Sequence, residues 1–400
     1  MTVAVSTSSA VEQLISVAPG INAFRVEFAL VSITLITVAN LRGLRESGNI
    51  FAIPTYLFLG LALTIVGGGI IRIVTGEATP MTPHAEAMPL GTEALGLFLV
   101  LKAFASGSVA LTGTEAIANG VPAFKPPEAK NAANTLVVMA VLLAILFIGI
   151  TLIADAYHIV PSEEGSGGPT VIALVAQTIF GAGNPLYYVF QLATALILFL
   201  AANTSYNAFP RLAALLAHDG YMPRQFSVRG DRLAFSWGIV LLSAVAGALI
   251  VWFGGVTTAL IPLYSVGVFV CFTLSQGGMV LHWIRRRGAG WWWRLAINAF
   301  GALLTAVVLV VVASVKFFAG AYLVVILIPL LVAMMLFINR QYAASARQLA
   351  IGPDVVVPVP SREERAIVPV PSLNRAVVRA VNVARSITND VSAVFISEDA

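Results

Sequence analysis

Charge is scarce in this sequence. Only 10% of its 400 residues are Asp, Glu, Lys or Arg, whereas soluble domains carry about 25%. Hydrophobic residues make up 58% of the chain, so a soluble fold would lack the polar surface that it needs. The composition therefore predicts a protein that crosses the lipid bilayer several times and has the bilayer as its main partner.

Several chemical signals are also missing. Cys271 is the only cysteine and lies in an apolar run, which excludes a disulfide framework and a CxxC pair. The four histidines fall in loops or at span ends without ligand spacing, so neither a metal site nor a cofactor is expected. No nucleophile–base pair indicates an enzyme, and no Arg-rich segment with aromatic residues indicates nucleic acid. The start, MTVAVSTSSAVEQL, lacks the basic region of a cleaved signal peptide.

Apolar windows of about 18 to 25 residues mark the membrane spans. A partial span covers residues 1–18, and a short window at 170–181 predicts an interfacial or re-entrant helix on the outside. Full spans are predicted at 24–41, 50–74, 94–120, 134–156, 186–206, 235–253, 258–283, 294–315 and 319–338.

Basic residues concentrate in alternate loops, which predicts the orientation through the positive-inside rule. The basic loops hold Arg42, Arg45, Lys125, Lys130, Arg211, Arg224, Arg229, Arg232, Arg285, Arg286, Arg287, Arg294, Arg340 and Arg347. The opposite loops hold mostly acids, with Arg25, Arg72 and Lys316 as their basic residues. We therefore predict a multi-pass protein of the plasma (inner) membrane, with the loop after Glu115 and the C-terminus in the cytoplasm.

The chain changes character after the last span. Residues 1–340 form the predicted membrane domain, 341–365 a Pro-rich linker and 366–400 a short cytosolic segment. Within that segment, strand, helix and strand patterns follow one another at 366–370, 373–388 and 391–397. This order predicts the start of a parallel α/β unit. One such unit cannot cover both faces of its sheet, so we expect the cytosolic domain to be truncated.

A glutamate stands inside the predicted span 94–120, in the stretch FASGSVALTGTEAIANGVPAF. Gly107 and Gly113 interrupt the helix there, and broken helices at membrane depth line cavities or lie buried in protein. Thr112 and Glu115 are three residues apart, so they share one face of a helix that resumes after the break. A hydroxyl and a carboxylate facing one cavity suit a desolvated monovalent cation or a proton-coupled carrier. A second interpretation stays open, in which the glycines pack and Glu115 caps a half-helix near water.

The span 186–206 ends in polar residues. Asn203 and Tyr206 could line the same cavity, or they could hydrogen-bond to neighbouring helices. Both interpretations remain open from the sequence. The next segment, FPRLAALLAHDGYMPRQF (209–226), has the spacing of an amphipathic helix that ends at Gly220.

Three segments resemble the amino acid–polyamine–organocation (APC) superfamily of transporters. They are NLRGLRESGNIFAIPTYLF (40–58), TGTEAIANGVPAFKPPEAKNAANT (112–135) and FPRLAALLAHDGYMPRQFSVRGDRLAFSWGI (209–239). The resemblance implies an all-α, LeuT-like inverted-repeat fold. Within the superfamily the segments are most similar to KimA-like potassium–proton symporters, which are related to the KUP group. That similarity implies potassium uptake with protons as coupling ions, and a homodimer by analogy.

The resemblance also implies a site. In that group Thr112 and Glu115 match positions that help to bind potassium, and Thr2 matches a threonine of the third span. We place Gly113 at the same site and expect Gly107, Asn203 and Tyr206 to line the cavity. Against the group's pattern, the first two spans and the acidic residue that should precede Thr2 are absent. The cytosolic domain, which senses a cyclic dinucleotide in that group, stops after about one βαβ unit, so we expect the chain to be a fragment or to start at an internal methionine.

Two other functions remain as alternatives. An amino acid permease of the same fold would hold the substrate carboxylate and amine at half-helix termini, where an acidic side chain such as Glu115 is less expected. A membrane sensor or fragment that does not transport is the third hypothesis, with the tail as the reader of a nucleotide.

Overall fold

A computed structural model of the chain describes most of its residues. The described positions are 1–43, 48–82, 84, 87–88, 96–111, 113, 117, 120–121, 124–230, 235–288, 290–349, 365–370 and 375–395. The chain divides into two compact units, Met1–Tyr342 and Ala343–Ala400.

Helices build the membrane part of the chain. In chain order they are α1 (Thr2–Val17), α2 (Arg25–Leu41), α3 (Gly48–Val74), α4 (Leu97–Gly107), α5 (Glu128–Ala156), α6 (Val171–Phe180), α7 (Pro185–His218), α8 (Ser236–Trp252), α9 (Thr257–Arg285), α10 (Trp291–Val315) and α11 (Tyr322–Leu349). Short 3₁₀ turns cover Pro19–Phe24, Ser108–Leu111 and Arg224–Ser227, and a π turn covers Phe317–Ala321.

Length and composition identify the membrane-spanning helices. Among the described residues, seven helical stretches are long and apolar enough to cross a bilayer: Pro19–Leu41, Phe51–Val74, Glu128–Ala156, Pro185–His218, Thr257–Arg285, Trp291–Val315 and Tyr322–Gln348. Large apolar side chains point outward from them, as Leu35 (66% exposed) and Phe300 (69%) illustrate. Apolar surface of this extent suits lipid and not water. The predicted all-α, multi-pass membrane fold is confirmed.

Several predicted spans differ from the helices observed. The described helix in 94–120 is α4 plus one 3₁₀ turn. Helix α5 begins at Glu128, before the predicted 134, and α11 runs past the predicted 338 to Leu349. Helix α7 passes the predicted end at 206 and runs on to His218. It also absorbs most of the separate amphipathic helix that the sequence predicted at 209–226.

Packing explains why α7 continues. Pro210 lies inside this helix, where a proline normally kinks or ends it. Gly238 of α8 sits directly against that proline, since a Cβ on Gly238 would lie 2.8 Å from the Cα of Pro210. Beyond Pro210, Ala213 and Ala217 are buried together with Met222. Burial of this apolar face stabilises the extra turns outside the predicted span.

Besides the small cluster around Ala213 and Ala217, three larger apolar cores of the described residues hold the helices together, and α7 contributes to two of these three. The first core joins α1, α2, α7, α8 and α9 through residues that include Val11, Ile33, Ala202, Ile250 and Leu260. The second joins α3, α5, α6 and α7 through residues that include Ile65, Ile153, Val175 and Phe190. The third joins α4, α9, α10 and the start of α11 through residues that include Ala105, Leu263, Val308 and Val324. The short helix α6, predicted at 170–181, therefore belongs to the packed bundle.

The C-terminal unit matches the predicted strand–helix–strand order. Strand β1 (Ala366–Pro369) pairs in parallel with β2 (Val391–Val394), and α12 (Arg375–Ile387) connects them. The Nε of Arg365 donates to Oδ2 of Asp390 at 2.8 Å. A mostly apolar groove of about 370 Å³ is lined by Val370, Val377, Val378, Val381, Asn382, Ala393 and Phe395.

Helices α3 and α5 approach each other through a glycine, and this contact is testable. A Cβ on Gly149 would overlap Cγ1 of Val66, so Gly149→Ala overpacks the contact at a cost of about 1–3 kcal/mol. We expect the purified protein in detergent to melt at a lower temperature. The matched control is Gly67→Ala in α3, where a Cβ meets no atom within 4 Å. Equal melting temperatures for the two variants would contradict the prediction, and Val66→Ala should restore part of the loss.

Candidate functional site

The predicted helix break is present. Helix α4 stops at Gly107 and tightens into the 3₁₀ turn Ser108–Leu111. Gly113 follows with a φ of +98°, a backbone conformation that favours glycine. A Cβ on Gly113 would meet no atom within 4 Å, so the conformation and not crowding accounts for the glycine. Thr112 and Glu115 lie outside the described residues, and their roles stay predictions.

Protein surrounds the end of α4. Ala105 is 1% exposed and packs with Leu263 and Val266 of α9. Ser108 is buried, and its Oγ donates to the backbone oxygen of Ala105 at 2.9 Å. Gly107 makes only ordinary contact, because a Cβ there would lie 3.8 Å from Cζ of Phe147. Protein therefore covers the end of α4 in part, since Ala105 and Ser108 are buried while Gly107 is half-buried.

The start of α1 meets the same core. Met1 packs against the cluster that contains Ala105, and Thr2, half-buried, begins the helix. Ser6 is one turn further along and shares a face with Thr2. The structure thus brings Met1, next to Thr2, and Ala105, in the last turn of α4, to one apolar core from two distant parts of the chain.

Helix α1 also carries polar side chains that the sequence reasoning passed over. Ser6, Thr7 and Ser8 are 9%, 0% and 1% exposed. The hydroxyls of Thr7 and Ser8 have no hydrogen-bond partner within the described structure. Buried hydroxyls without a partner lose free energy, so they mark places that a water or an ion would favour. The run STSS within an apolar helix was the available signal.

Asn203 and Tyr206 form hydrogen bonds between helices. The Nδ2 of Asn40 in α2 donates to Oδ1 of Asn203 at 2.7 Å. The hydroxyl of Tyr206 lies 3.1 Å from Oγ1 of Thr37 and 3.0 Å from Oγ of Ser243, which joins α7 to α2 and α8. Tyr206 is 2% exposed. These contacts favour the interhelical role that the sequence left open, and a cavity beside the two residues stays a prediction.

A carboxylate at the other end of α1 was also missed. Oε1 of Glu12 accepts a hydrogen bond from the backbone N of Thr257 at 2.9 Å, at the first residue of α9. The position of Glu12 inside the predicted partial span 1–18 was a signal that this carboxylate has a partner in the fold. The two residues are 245 positions apart, so nothing in the local pattern pairs them.

The described part of the candidate site combines an interrupted helix with buried hydroxyls on α1. Among the residues that the structure describes, no group of three or more His, Cys, Asp or Glu side chains could hold a metal ion. The buried hydroxyls of Thr7 and Ser8 place neutral oxygen atoms inside the bundle. Secondary transporters bind small substrates and coupling ions with such ligands.

Comparison with known proteins identifies the class. A family model described as amino acid permease matches residues 1–336. The chain is therefore a multi-pass membrane protein that belongs to the amino acid permease family.

Two relatives from Bacillus subtilis (strain 168) refine the comparison. The chain is 44% identical over 401 aligned residues to the potassium transporter KimA, with 100% of this chain and 64% of that protein covered. It is 25% identical over 267 residues to the uncharacterized amino acid permease YecA, with 66% of this chain and 58% of that protein covered. The chain thus spans less than two thirds of the length of either relative.

The hydroxyl contacts of Tyr206 predict an energetic coupling. Tyr206→Phe removes the hydroxyl and keeps the ring, and Ser243→Ala removes one of its partners. Hydrogen bonds between membrane helices contribute about 0.6 kcal/mol on average, so we expect the double variant to lose less stability than the two single variants added together. Unfolding free energies of the purified protein measure this.

Tyr206→Phe combined with Ser314→Ala is the control for indirect effects on stability. The hydroxyl of Ser314 bonds only to backbone oxygens of its own helix, those of Val310 and Val311. Tyr206→Phe and Ser314→Ala should therefore be additive. Additive losses for Tyr206→Phe with Ser243→Ala as well would contradict the predicted link.

Proposed function

We propose that this chain forms the membrane part of a proton-coupled potassium uptake protein. The observation that carries the proposal is the 44% identity with a potassium transporter, which extends over the whole chain including its C-terminal unit. The family match alone does not separate potassium from amino acids, because its description names amino acid permeases.

The ion site of the proposal is centred on the break after α4. Thr112, Gly113 and Glu115 would contribute a hydroxyl, the turned backbone and a carboxylate, and Thr2 of α1 would contribute a second hydroxyl. Potassium is held by oxygen ligands that replace its hydration shell. The observed packing of Met1 and Ala105 on one core supports this grouping, because the start of α1 and the last turn of α4 both contribute to that core.

Proton coupling follows from the same chemistry. A carboxylate in a desolvated site can hold either a proton or the charge that balances a bound cation, and burial makes the two alternatives exclusive. Glu115 is the proposed coupling group. Because uptake would require the proton gradient, potassium accumulation should depend on an acidic exterior.

An amino acid permease is the second candidate. The family description and the similarity to YecA support it. In that case the helix termini at the break would hold the carboxylate and amine of the substrate, and Glu115 would have no cation to balance.

The proposed orientation places the loop after Glu115 and the C-terminus in the cytoplasm. The distribution of basic residues supports it through the positive-inside rule. The turn between α6 and α7, which contains the exposed Ala182, would then lie outside.

Growth at low potassium tests the function. The full-length gene should rescue a cell that lacks its own potassium uptake. Glu115→Gln should abolish rescue and reduce potassium uptake at least tenfold, because it removes the charge that balances the cation. Glu128→Gln is the matched control, since Glu128 is an exposed acid in the first turn of α5. Uptake of labelled amino acids without potassium rescue would overturn the proposal in favour of the permease.

Labelling of single cysteines tests the orientation. In a Cys271→Ala background, Ala182→Cys should react with an impermeant maleimide applied to intact cells. Ala344→Cys, at an exposed position near the C-terminal end of α11, should react only after the cells are permeabilised. The reverse pattern would contradict the proposed sidedness.

A further inference from the structure

Glu12 differs from the other acids that the structure describes. It lies within α1 and is only partly exposed, whereas the remaining described Asp and Glu side chains are exposed. An acid inside a membrane helix is costly and is usually retained for a function. The proposed potassium site at Thr112 and Glu115 makes no use of it.

The bond made by Glu12 is of a strong kind. Its carboxylate accepts from the N–H of Thr257, the first residue of α9, at 2.9 Å. The first N–H groups of a helix have no partner within the helix and carry its positive end. A carboxylate there forms a charge-assisted hydrogen bond. Because Thr257 is 6% exposed, water competes weakly for the bond, and the link between α1 and α9 depends on the charge of Glu12.

Two charged groups face this carboxylate from the neighbouring elements. Arg25, at the start of α2, attracts it, and Glu164, in the segment between α5 and α6, opposes it. The guanidinium of Arg25 also lies near Gly165, next to Glu164, since a Cβ on Gly165 would lie 3.3 Å from its Nη2. Loss of the charge on Glu12 would leave Arg25 with Glu164 as its acidic neighbour.

The groups that make the other polar contacts described here at this end of α1 do not change charge between pH 5.5 and pH 7.5. Oγ1 of Thr170 donates to Oε1 of Gln13 at 3.1 Å, and the backbone N of Thr170 donates to Oγ of Ser16 at 3.1 Å. The hydroxyl of Tyr187 donates to the backbone oxygen of Ser16 at 3.2 Å. These bonds stay neutral between pH 5.5 and pH 7.5 and hold α1 to the α6 and α7 side over that range, whereas the bond to α9 changes when Glu12 takes up a proton.

We propose that Glu12 is a proton-binding residue at the outer mouth of the transporter, and that its ionised form latches the first turn of α9 onto α1. When the carboxylate takes up a proton from outside, its charge is lost, the bond to Thr257 weakens and the outer end of α9 separates from α1. The assignment of this end to the outside, and of protons as coupling ions, rests on the proposed function.

A buried cysteine reports the opening. Leu260 lies one turn after Thr257, is 1% exposed and packs in the core with Val11 and Ile15 of α1. In a Cys271→Ala background, Leu260→Cys should be shielded from an impermeant maleimide while the latch is closed. Labelling is measured on full-length protein in membranes without a potassium gradient. Rates are divided by those of Ala182→Cys, an exposed site, to remove the pH dependence of the thiol itself.

The charge of Glu12 should control this labelling. We expect the normalised rate to rise at least threefold from pH 7.5 to pH 5.5. Adding Glu12→Gln should give the high rate at both pH values, because the amide carries no charge. Labelling of Glu12→Gln that matches its parent at both pH values would overturn the proposal.

Two substitutions of Thr257, the residue that donates to Glu12, form a matched pair of tests. Thr257→Pro removes the N–H that Glu12 accepts, while proline suits the first position of a helix. Val256 before it has the extended backbone that precedes a proline (φ −88°, ψ 117°). Thr257→Ala removes the same hydroxyl and keeps the N–H. Faster labelling at pH 7.5 for Thr257→Pro than for Thr257→Ala is expected, and equal rates would overturn the latch.

The latch and the potassium function can each be refuted without refuting the other. Loss of potassium rescue with the labelling pattern intact would refute the potassium function and retain the latch. Potassium rescue with flat, Glu12-independent labelling would refute the latch and retain the function.

Discussion

The need to satisfy every backbone N–H and C=O inside lipid shapes this fold. Regular helices meet it over nearly all of the described membrane part. The described departures are the 3₁₀ turns Pro19–Phe24, Ser108–Leu111 and Arg224–Ser227 and the π turn Phe317–Ala321. Ala105, in the last turn of α4, and Ala321, at the end of the π turn, pack in one core. Protein thus covers part of this irregular backbone, since Ser108 and Ala321 are buried, whereas Phe318 is 94% exposed. The proposed ion site would require the carbonyls at the break after α4 to face protein and not hydrocarbon.

The sequence predicts the local features of the fold well. Apolar windows locate the helices because lipid imposes a length on them, and period-2 and helical spacing locate β1, α12 and β2. Gly107 and Gly113 mark the break because glycine has a distinct backbone preference. Each of these signals is contained within about twenty residues.

The features that the sequence could not predict depend on partners far along the chain. Pro210 and Arg211 indicate the end of a helix locally, and the contact with Gly238 overrides that signal. Tyr206 faces Thr37 and Ser243, which are 169 and 37 positions away. A polar residue in a span predicts that a partner exists, but only the packing of α2 and α8 identifies it. The family resemblance supplied the proposed roles of Thr112 and Glu115, which no local rule assigns.

Helix α7 has a mechanical consequence. Its 34 residues extend about 51 Å at 1.5 Å per residue, so one rigid rod reaches from one membrane face to the other. Near the N-terminal end of α7, the hydroxyl of Tyr187 donates to the backbone oxygen of Ser16. One residue past its C-terminal end, the backbone oxygen of Asp219 accepts a hydrogen bond from Nδ2 of Asn339 at 3.3 Å. A tilt of about 5° around its midpoint would displace the two ends by roughly 2 Å in opposite directions. Such a lever would loosen contacts on one face while it tightens them on the other, without any helix having to unfold.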